Sequence, residues 1–418
     1  METAAPFGDA VDTERFWQDM RQQANIGALP GGGLGRLALD DNDIKARLWL
    51  IQCGQEIGCD AYYDEVGNVY LRREGRSASA MPLLIGSHLD SQPLGGAYDG
   101  TLGVVAGLSV LRTLHEQGSV HARPVEVVSW TNEEGARFSP GTPGSSWFAG
   151  TRDMATIGAS RDDHGMSFAA ALAPCLEALA ASGAHLRESA FTPHAYLEMH
   201  IEQGPILDAT NVPMAAVSGI QGVHWYRFTL SGVANHAGTT PRAMRCDAFM
   251  AAHALVTALI DTVGRYDERV RFTIGKFSLT PNSVNTIADQ ATFTVDLRHP
   301  DAQVLTSLDD DFQRLASAPW EGCPATLEVM SRLPPVTFDQ QVVERLEHRV
   351  HAYVPKAPRL VSGAFHDAIH MAHLCPTAML FVACRGGISH HPNEHVEAED
   401  AACAVRALAQ TAHDLIQR

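Results

Sequence analysis

Lysine is nearly missing from this chain. It occurs only at Lys45, Lys276 and Lys356, so arginine carries almost all the positive charge. With 48 acidic against 31 basic residues, the formal charge is -17 at pH 7. That excludes the basic footprint on which non-specific nucleic-acid binding depends. No apolar run approaches the roughly 20 residues of a membrane span. Residues 1–17 lack a basic segment followed by an apolar one, so no secretory signal is expected, no membrane partner either, and a cytoplasmic location is the default. The 8 cysteines form no CxxC pair and no tight cluster, which predicts reduced, structural thiols. There is no internal repeat and no low-complexity tract.

What is present is an ordinary globular composition, 45% apolar, spread over 418 residues. That length exceeds one compact core and predicts two domains. Histidine is abundant, with 20 residues, enough to supply metal ligands.

The chain is organised around residues 83–108, LLIGSHLDSQPLGGAYDGTLGVVAGL. A short apolar run ends at Gly86 and suits a buried strand. His88 and Asp90 follow at its end, Asp99 sits in a glycine-rich turn, and residues 102–114 read as a helix. Helical spacing also predicts helices over 13–25 and 41–55, the second capped by Asp41 or Asn42. Residues 60–72 read as a strand pair turning at Gly67-Asn68. Further buried strands are expected at 125–130, ending in Glu133-Glu134, at 194–200, ending in His200, and at 378–383, leading to His390-His391. Strands alternating with helices predict an α/β layer, and open α/β sheets place ligands at strand carboxyl ends.

The pattern changes near Val217. Strands at 222–231, 271–279, 292–298 and 325–330 alternate with helices at 247–263 and 301–316. This β-α-β-β-α-β order is the ferredoxin-like arrangement, sized for an inserted domain, with Pro334-Pro335 marking the return. The expected division is therefore 1–217 with 336–418, a mixed sheet flanked by helices, and 218–335, an inserted α+β domain.

Five candidate ligands stand at the expected strand ends: His88, Asp99, Glu134, His200 and His390. Imidazole with carboxylate suits zinc, manganese, cobalt or nickel. Two such ions about 4 Å apart can share a carboxylate, activate water and polarise a carbonyl. Any one of these histidines alone is commonly a surface or satisfied core residue, and an isolated Glu-Glu pair is commonly a solvated turn. Glu133 beside Glu134 permits a division of labour, one carboxylate on a metal and the other serving as general base.

The motifs GSHLDS at Gly86, GGAYDGTLGV at Gly95, NEEGARF at Asn132, EMHIEQGP at Glu198, NHAGTTP at Asn235, SGAFHDA at Ser362 and GISHHPNE at Gly387 run in order over nearly the whole chain. Together they make the chain resemble the hydantoinase/carbamoylase branch of the M20 metallopeptidase-like amidohydrolases. That branch includes N-carbamoyl-L-amino acid hydrolases, allantoate amidohydrolases and β-ureidopropionases. The resemblance implies two divalent ions per subunit: His88, Asp99 and His200 on one, Asp99, Glu134 and His390 on the other, with Asp99 bridging. It implies Glu133 as the base, Asp90 orienting His88, and His390 rather than His391 as the ligand. The inserted domain is implied to be a lid and dimerisation domain. His236 would stabilise an oxyanion in the partner subunit of a homodimer, and Asn285 and Arg298 would bind a substrate carboxylate. A strand-end salt bridge is the structural alternative for Arg298. Gln203 and His224 are further candidate substrate contacts. The expected substrate is a ureido acid. Allantoate is the alternative, a di-zinc dipeptidase is disfavoured by His200, and a dead metal-binding site is disfavoured by Glu133. Arg242, Phe365 and Val223-His224 depart from the branch's usual residues and bear on substrate choice.

Overall fold

The computed structural model describes residues 5–187 and 190–417. The chain divides into two compact units: one runs to Gly219 and resumes at Thr337, the other is Ile220–Val336.

The first unit is built on a ten-stranded mixed sheet. Its centre is four adjacent strands, in the order Thr377–Val382, Ala195–Ile201, Leu83–His88 and Val125–Trp130, each parallel to its neighbour. Every residue of these four strands is buried. They are mostly apolar, as strands buried on both faces are, with Glu126 and Glu198 as buried charged exceptions. Antiparallel strands extend the sheet: Val69–Arg73 and Asp60–Tyr63 on one side, Met214–Ile220 on the other. The helix Thr101–Glu116 is buried from Thr101 to Leu114 and packs on three of the central strands. The helix Ala398–Ile416 packs on Thr377–Val382 and on the helix Gln340–Tyr353.

The second unit is a four-stranded antiparallel sheet in the order Arg271–Thr280, Gln290–His299, Gly222–Ser231, Ala325–Leu333. Helices Ala248–Val263 and Ala302–Ala316 complete a β-α-β-β-α-β succession. Tyr226, Phe228 and Leu230 alternate inward from the strand Gly222–Ser231 and meet Leu255, Leu259, Leu308 and Phe312 from the two helices. That alternation is what one covered face and one open face require. A two-residue ribbon pairs Asn235–His236 with Thr286–Ile287. Among the described residues no helix is long and apolar enough to cross a membrane.

The cap of the second helix, Asp41–Glu56, falls one residue earlier than the sequence suggested. Asp40 is extended, and its carboxylate accepts from the N–H groups of Asn42 and Asp43. Three acidic or amide residues in a row each qualify by type, and the backbone conformation decides among them.

Candidate metal centre

The four parallel strands end side by side, and each delivers a polar group. His88 is the last residue of Leu83–His88, Glu133 and Glu134 follow Val125–Trp130, His200 ends Ala195–Ile201 but for one residue, and His390 follows Thr377–Val382. Asp99 arrives from the turn that starts the helix Thr101–Glu116. That turn depends on Gly100, whose φ is +64°, and a Cβ there would lie 2.3 Å from His88 Nε2. Only glycine lets the helix start so close to the imidazole. Gly96 is constrained likewise, because a Cβ would lie 2.1 Å from the Glu394 carboxylate.

These side chains converge in two trios. In the first, Asp99 Oδ1 is 3.5 Å from His88 Nε2 and 3.1 Å from His200 Nε2. In the second, His390 Nε2 is 3.6 Å from Asp99 Oδ2 and 3.3 Å from Glu134 Oε2. Within each trio the potential ligand atoms lie within 4.8 Å of one another. Asp99 belongs to both and faces them with different oxygens. Glu133 Oε2 stands 3.5 Å from His88 Nε2.

The imidazoles are oriented by backbone carbonyls. His88 Nδ1 is 2.9 Å from Asp90 O, and His200 Nδ1 is 3.0 Å from Ile201 O. Each carbonyl can only accept, so each Nδ1 donates, and in the neutral ring, the form that binds a metal, each Nε2 presents a lone pair to the cluster. His88 Nε2 is buried and has no hydrogen-bond partner. A buried acceptor left bare among carboxylates is costly unless a cation fills the space. The donor set of imidazole nitrogen and carboxylate oxygen fits a divalent transition metal.

The electrostatics point the same way. Burial pushes Glu134 up to about 8, with Asp99 adding to it. Glu133 is held well above its ordinary range by burial, against the pull of His88, and by the charges of Asp367, Glu134 and Asp99. For Asp99, burial is outweighed by His200 and His88, which hold it well below the carboxylate range. For His88, burial is outweighed by Glu133 and Asp99, which hold it well above the usual imidazole range. Acidic groups crowded this closely share protons, or a metal, to relieve their repulsion.

Around the trios lies a set of residues that sequence reasoning did not single out. Glu394 Oε1 accepts from the N–H groups of Tyr98 and Asp99, each at 3.0 Å, and so fixes the Asp99 turn. Ser389 donates to Asp99 Oδ2 at 2.9 Å, and Gln92 donates to Glu134 Oε2 at 2.8 Å. Behind His200, the His366 ring packs edge-on at 4.4 Å and its Nε2 meets Ser362 Oγ at 2.8 Å. His200, His366 and Glu198 form a third group of potential ligands. The Glu198 oxygens, however, already accept from Ser87, Tyr196 and the Ala368 N–H. Glu394, Ser389 and His366 sit inside the motifs quoted above, which was the available signal. Their type alone did not separate them from the ligand positions.

Three expected roles look different in the geometry. It is the Asp90 carbonyl that lies at hydrogen-bonding distance from His88, while the Asp90 carboxylate oxygen is 3.8 Å from Nδ1. That carboxylate instead accepts from the Glu133 and Glu134 N–H groups at 3.2 and 3.3 Å, tying the two acidic loops together. Gln203 lies in the cluster itself, donating to Asp99 Oδ2 at 2.8 Å and to Ser389 Oγ at 3.2 Å. His224 Nδ1 is 3.0 Å from Asp309 Oδ1 and 3.2 Å from the Tyr226 hydroxyl, so that edge of the ring is occupied within the second unit.

The second unit holds the remaining candidates. His236 and Asn285 meet at the short ribbon, where the Ala237 N–H donates to Asn285 O at 3.0 Å and both side chains are exposed. Arg298 grips Asp296 at two points, 2.8 and 2.9 Å. His391 is exposed and belongs to neither trio.

Comparison with known proteins follows the same lines. The description "Peptidase family M20/M25/M40" matches residues 84–414. An N-carbamoyl-L-amino-acid amidohydrolase of Rhizobium meliloti is 36% identical, covering 95% of this chain and 95% of its own. An allantoate amidohydrolase of Bacillus subtilis is 31% identical, covering 94% of this chain and 95% of its own. Among solved structures, a hydantoinase/carbamoylase family amidase of Burkholderia multivorans superposes with a TM-score of 0.90 at 37% identity, covering 98% of each chain.

Proposed function

The chain belongs to peptidase family M20/M25/M40 and to its hydantoinase/carbamoylase amidohydrolases, and from that premise we propose that it hydrolyses the linear C–N bond of an N-carbamoyl-L-amino acid. The observation that carries the reading is Asp99 placed between two groups of ligand atoms, with Glu133 beside the bare His88 Nε2. Two divalent ions of zinc, manganese, cobalt or nickel per chain would be held by His88, Asp99 and His200, and by Asp99, Glu134 and His390. When bound, they supply Lewis acidity that activates water and polarises the carbamoyl oxygen.

Glu133 takes the proton of the attacking water. It then delivers that proton to the leaving nitrogen. Water adds to the carbamoyl carbon, the bond to the amino acid's nitrogen breaks, and the carbamate left behind decomposes to carbon dioxide and ammonia. Asp90 holds the Glu133 loop through two backbone N–H groups, which keeps the base aimed. The second unit serves as a lid and as the dimer contact. Its His236 stabilises the developing oxyanion in the partner's site. Asn285 and Arg298 take the substrate carboxylate, Arg298 exchanging Asp296 for it. Gln203 and His224 are retained as substrate contacts on the resemblance alone.

The test is ammonia release from N-carbamoyl-L-methionine and a panel of ureido acids, using chain stripped of metal and reloaded with Mn²⁺ or Co²⁺. Release that needs the metal supports the reading. If the whole panel and allantoate stay intact with metal bound, the reading is wrong. Hydrolysis of allantoate alone would establish the second reading, an allantoate amidohydrolase, which the Bacillus subtilis relative favours.

A further inference from the structure

Six of the 8 cysteines lie in the first unit, and the second holds only Cys246 and Cys323. All are free thiols. Although 77 residues apart in sequence, the Cys246 and Cys323 sulfurs approach to 2.8 Å. A disulfide needs about 2.05 Å, so the two atoms have less than about 1 Å still to close.

Both cysteines stand on anchored backbone. Cys323 is buried in the core of its unit, in a tight turn where Cys323 and Trp320 exchange backbone hydrogen bonds of 2.8 and 2.9 Å. Cys246 is partly exposed, and its carbonyl accepts from the Val233 N–H at 2.8 Å. That bond closes the neck of the loop 233–246, which carries His236. Inside the loop, Arg245 donates to Ala237 O at 2.6 Å and to Thr240 O at 3.0 Å. One thiol is therefore open to reagents in solution. The other waits behind it, on a segment that pairs into the sheet through Ala325–Leu333.

We propose that Cys246 and Cys323 are a reversible redox pair, closed by exchange with a low-molecular-weight disulfide such as oxidised glutathione, and that closure fastens the neck of the His236 loop to the Trp320 turn. In the first step the Cys246 thiolate attacks the disulfide and releases one glutathione thiolate. In the second, the Cys323 thiolate attacks the Cys246 sulfur of the mixed disulfide and releases the other. Two protein thiols lose two protons and two electrons, and one glutathione disulfide becomes two thiols. Dithiols that respond to the cell's redox state in this way are the usual form of disulfide inside cells.

The experiment uses the full-length, metal-loaded chain equilibrated with graded ratios of reduced and oxidised glutathione, then acid-quenched, alkylated and mapped by mass spectrometry. The expected result is loss of two of the 8 thiols, a single linked peptide joining Cys246 to Cys323, and full reversal by dithiothreitol. Amide hydrogen exchange across residues 233–246 slows at least tenfold in the oxidised form. A Cys323→Ser chain stops at a glutathione adduct on Cys246. If that variant does not fold, the wild-type thiol count decides alone. All 8 thiols remaining free at every ratio, a lasting adduct on wild-type Cys246, or a linkage elsewhere would overturn the pair. A linked peptide with unchanged loop exchange would overturn the fastening.

Discussion

Replacing Gly100 by alanine tests how tightly the Asp99 turn and the His88 ring are built around one another. The methyl group would fall 2.3 Å from His88 Nε2 and 2.4 Å from the two ring carbons beside it, at a backbone φ of +64°. The left-handed conformation costs an alanine about 1–2 kcal/mol, and an overpacked methyl in a close-packed site costs about 1–3 kcal/mol. The first cost falls on folding with or without metal; the second falls on the His88 ring. The ring edge being pushed is the one that faces Asp99, so His88 can yield only by withdrawing its ligand nitrogen. That steric cost should therefore appear in metal affinity, weakening it by about 5-fold to about 140-fold at 1.4 kcal/mol per decade. Competitive titration against a chelator measures this. Gly58→Ala is the control, with a similar φ of +72° and nothing within 4 Å of the added methyl. It should lose a degree or two of Tm and keep its metal. If Gly100→Ala binds metal as tightly as Gly58→Ala, then His88 is not the metal ligand proposed here.

Asp90→Asn should keep metal but lower turnover by about 10- to 100-fold, since one of the two acidic-loop N–H groups loses its acceptor at about 1–3 kcal/mol; stopped assays of ammonia release at matched metal content check this. Glu394→Ala strands the Tyr98 and Asp99 N–H groups and should destabilise the first unit by about 2–6 kcal/mol. Glu394→Gln, whose amide oxygen can accept both, should stay within about 1 kcal/mol of the wild type in denaturant unfolding. Asp64, buried among Tyr70 and Asn68, is pushed up to about 6 by burial. The folded chain therefore holds this proton more tightly than the unfolded chain, and stability falls as pH rises from about 4 to about 6. The loss is about 3 kcal/mol, because each tenfold gain in proton affinity on folding is worth about 1.4 kcal/mol. Comparing wild type and Asp64→Asn at pH 4 and pH 6.5 should show the wild type losing more across that interval. An equal slope in both chains would refute the assignment.

Much of the first unit was legible because its central strands are mostly apolar runs that end beside polar and charged residues. Leu83–His88, Val125–Trp130 and Ala195–Ile201 announce both a buried parallel sheet and the place where chemistry gathers. Met214–Ile220 escaped notice for the opposite reason. Its small residues, Ala215, Ala216, Ser218 and Gly219, carry no alternation and no large apolar side chain, yet pairing with Thr377–Val382 makes it a strand. The four-stranded sheet of the second unit was readable from true alternation, as in Gly222–Ser231. At the site, residue type found the five candidate ligands, but it could not say how neighbouring groups are aimed. That Asp90 presents its carbonyl to the His88 ring and its carboxylate to the Glu133-Glu134 loop is set by backbone direction. That Gln203 reaches Asp99 follows from its own left-handed φ of +56°, which no side-chain pattern announces. Glu394 lies 295 residues from the turn it holds, and only tertiary structure makes them neighbours.

The proposed chemistry stands on one division of labour: the strand-end cluster binds divalent metal, while Glu133, which binds none of it, moves the proton. Ammonia release from the best ureido acid by Glu133→Gln puts this to the test, measured per chain with metal content determined on the same sample. The expected result is two ions per chain, as in the wild type, and turnover lower by about 10²- to 10⁴-fold, the usual contribution of a positioned acid-base group. Wild-type turnover at full metal loading would contradict it.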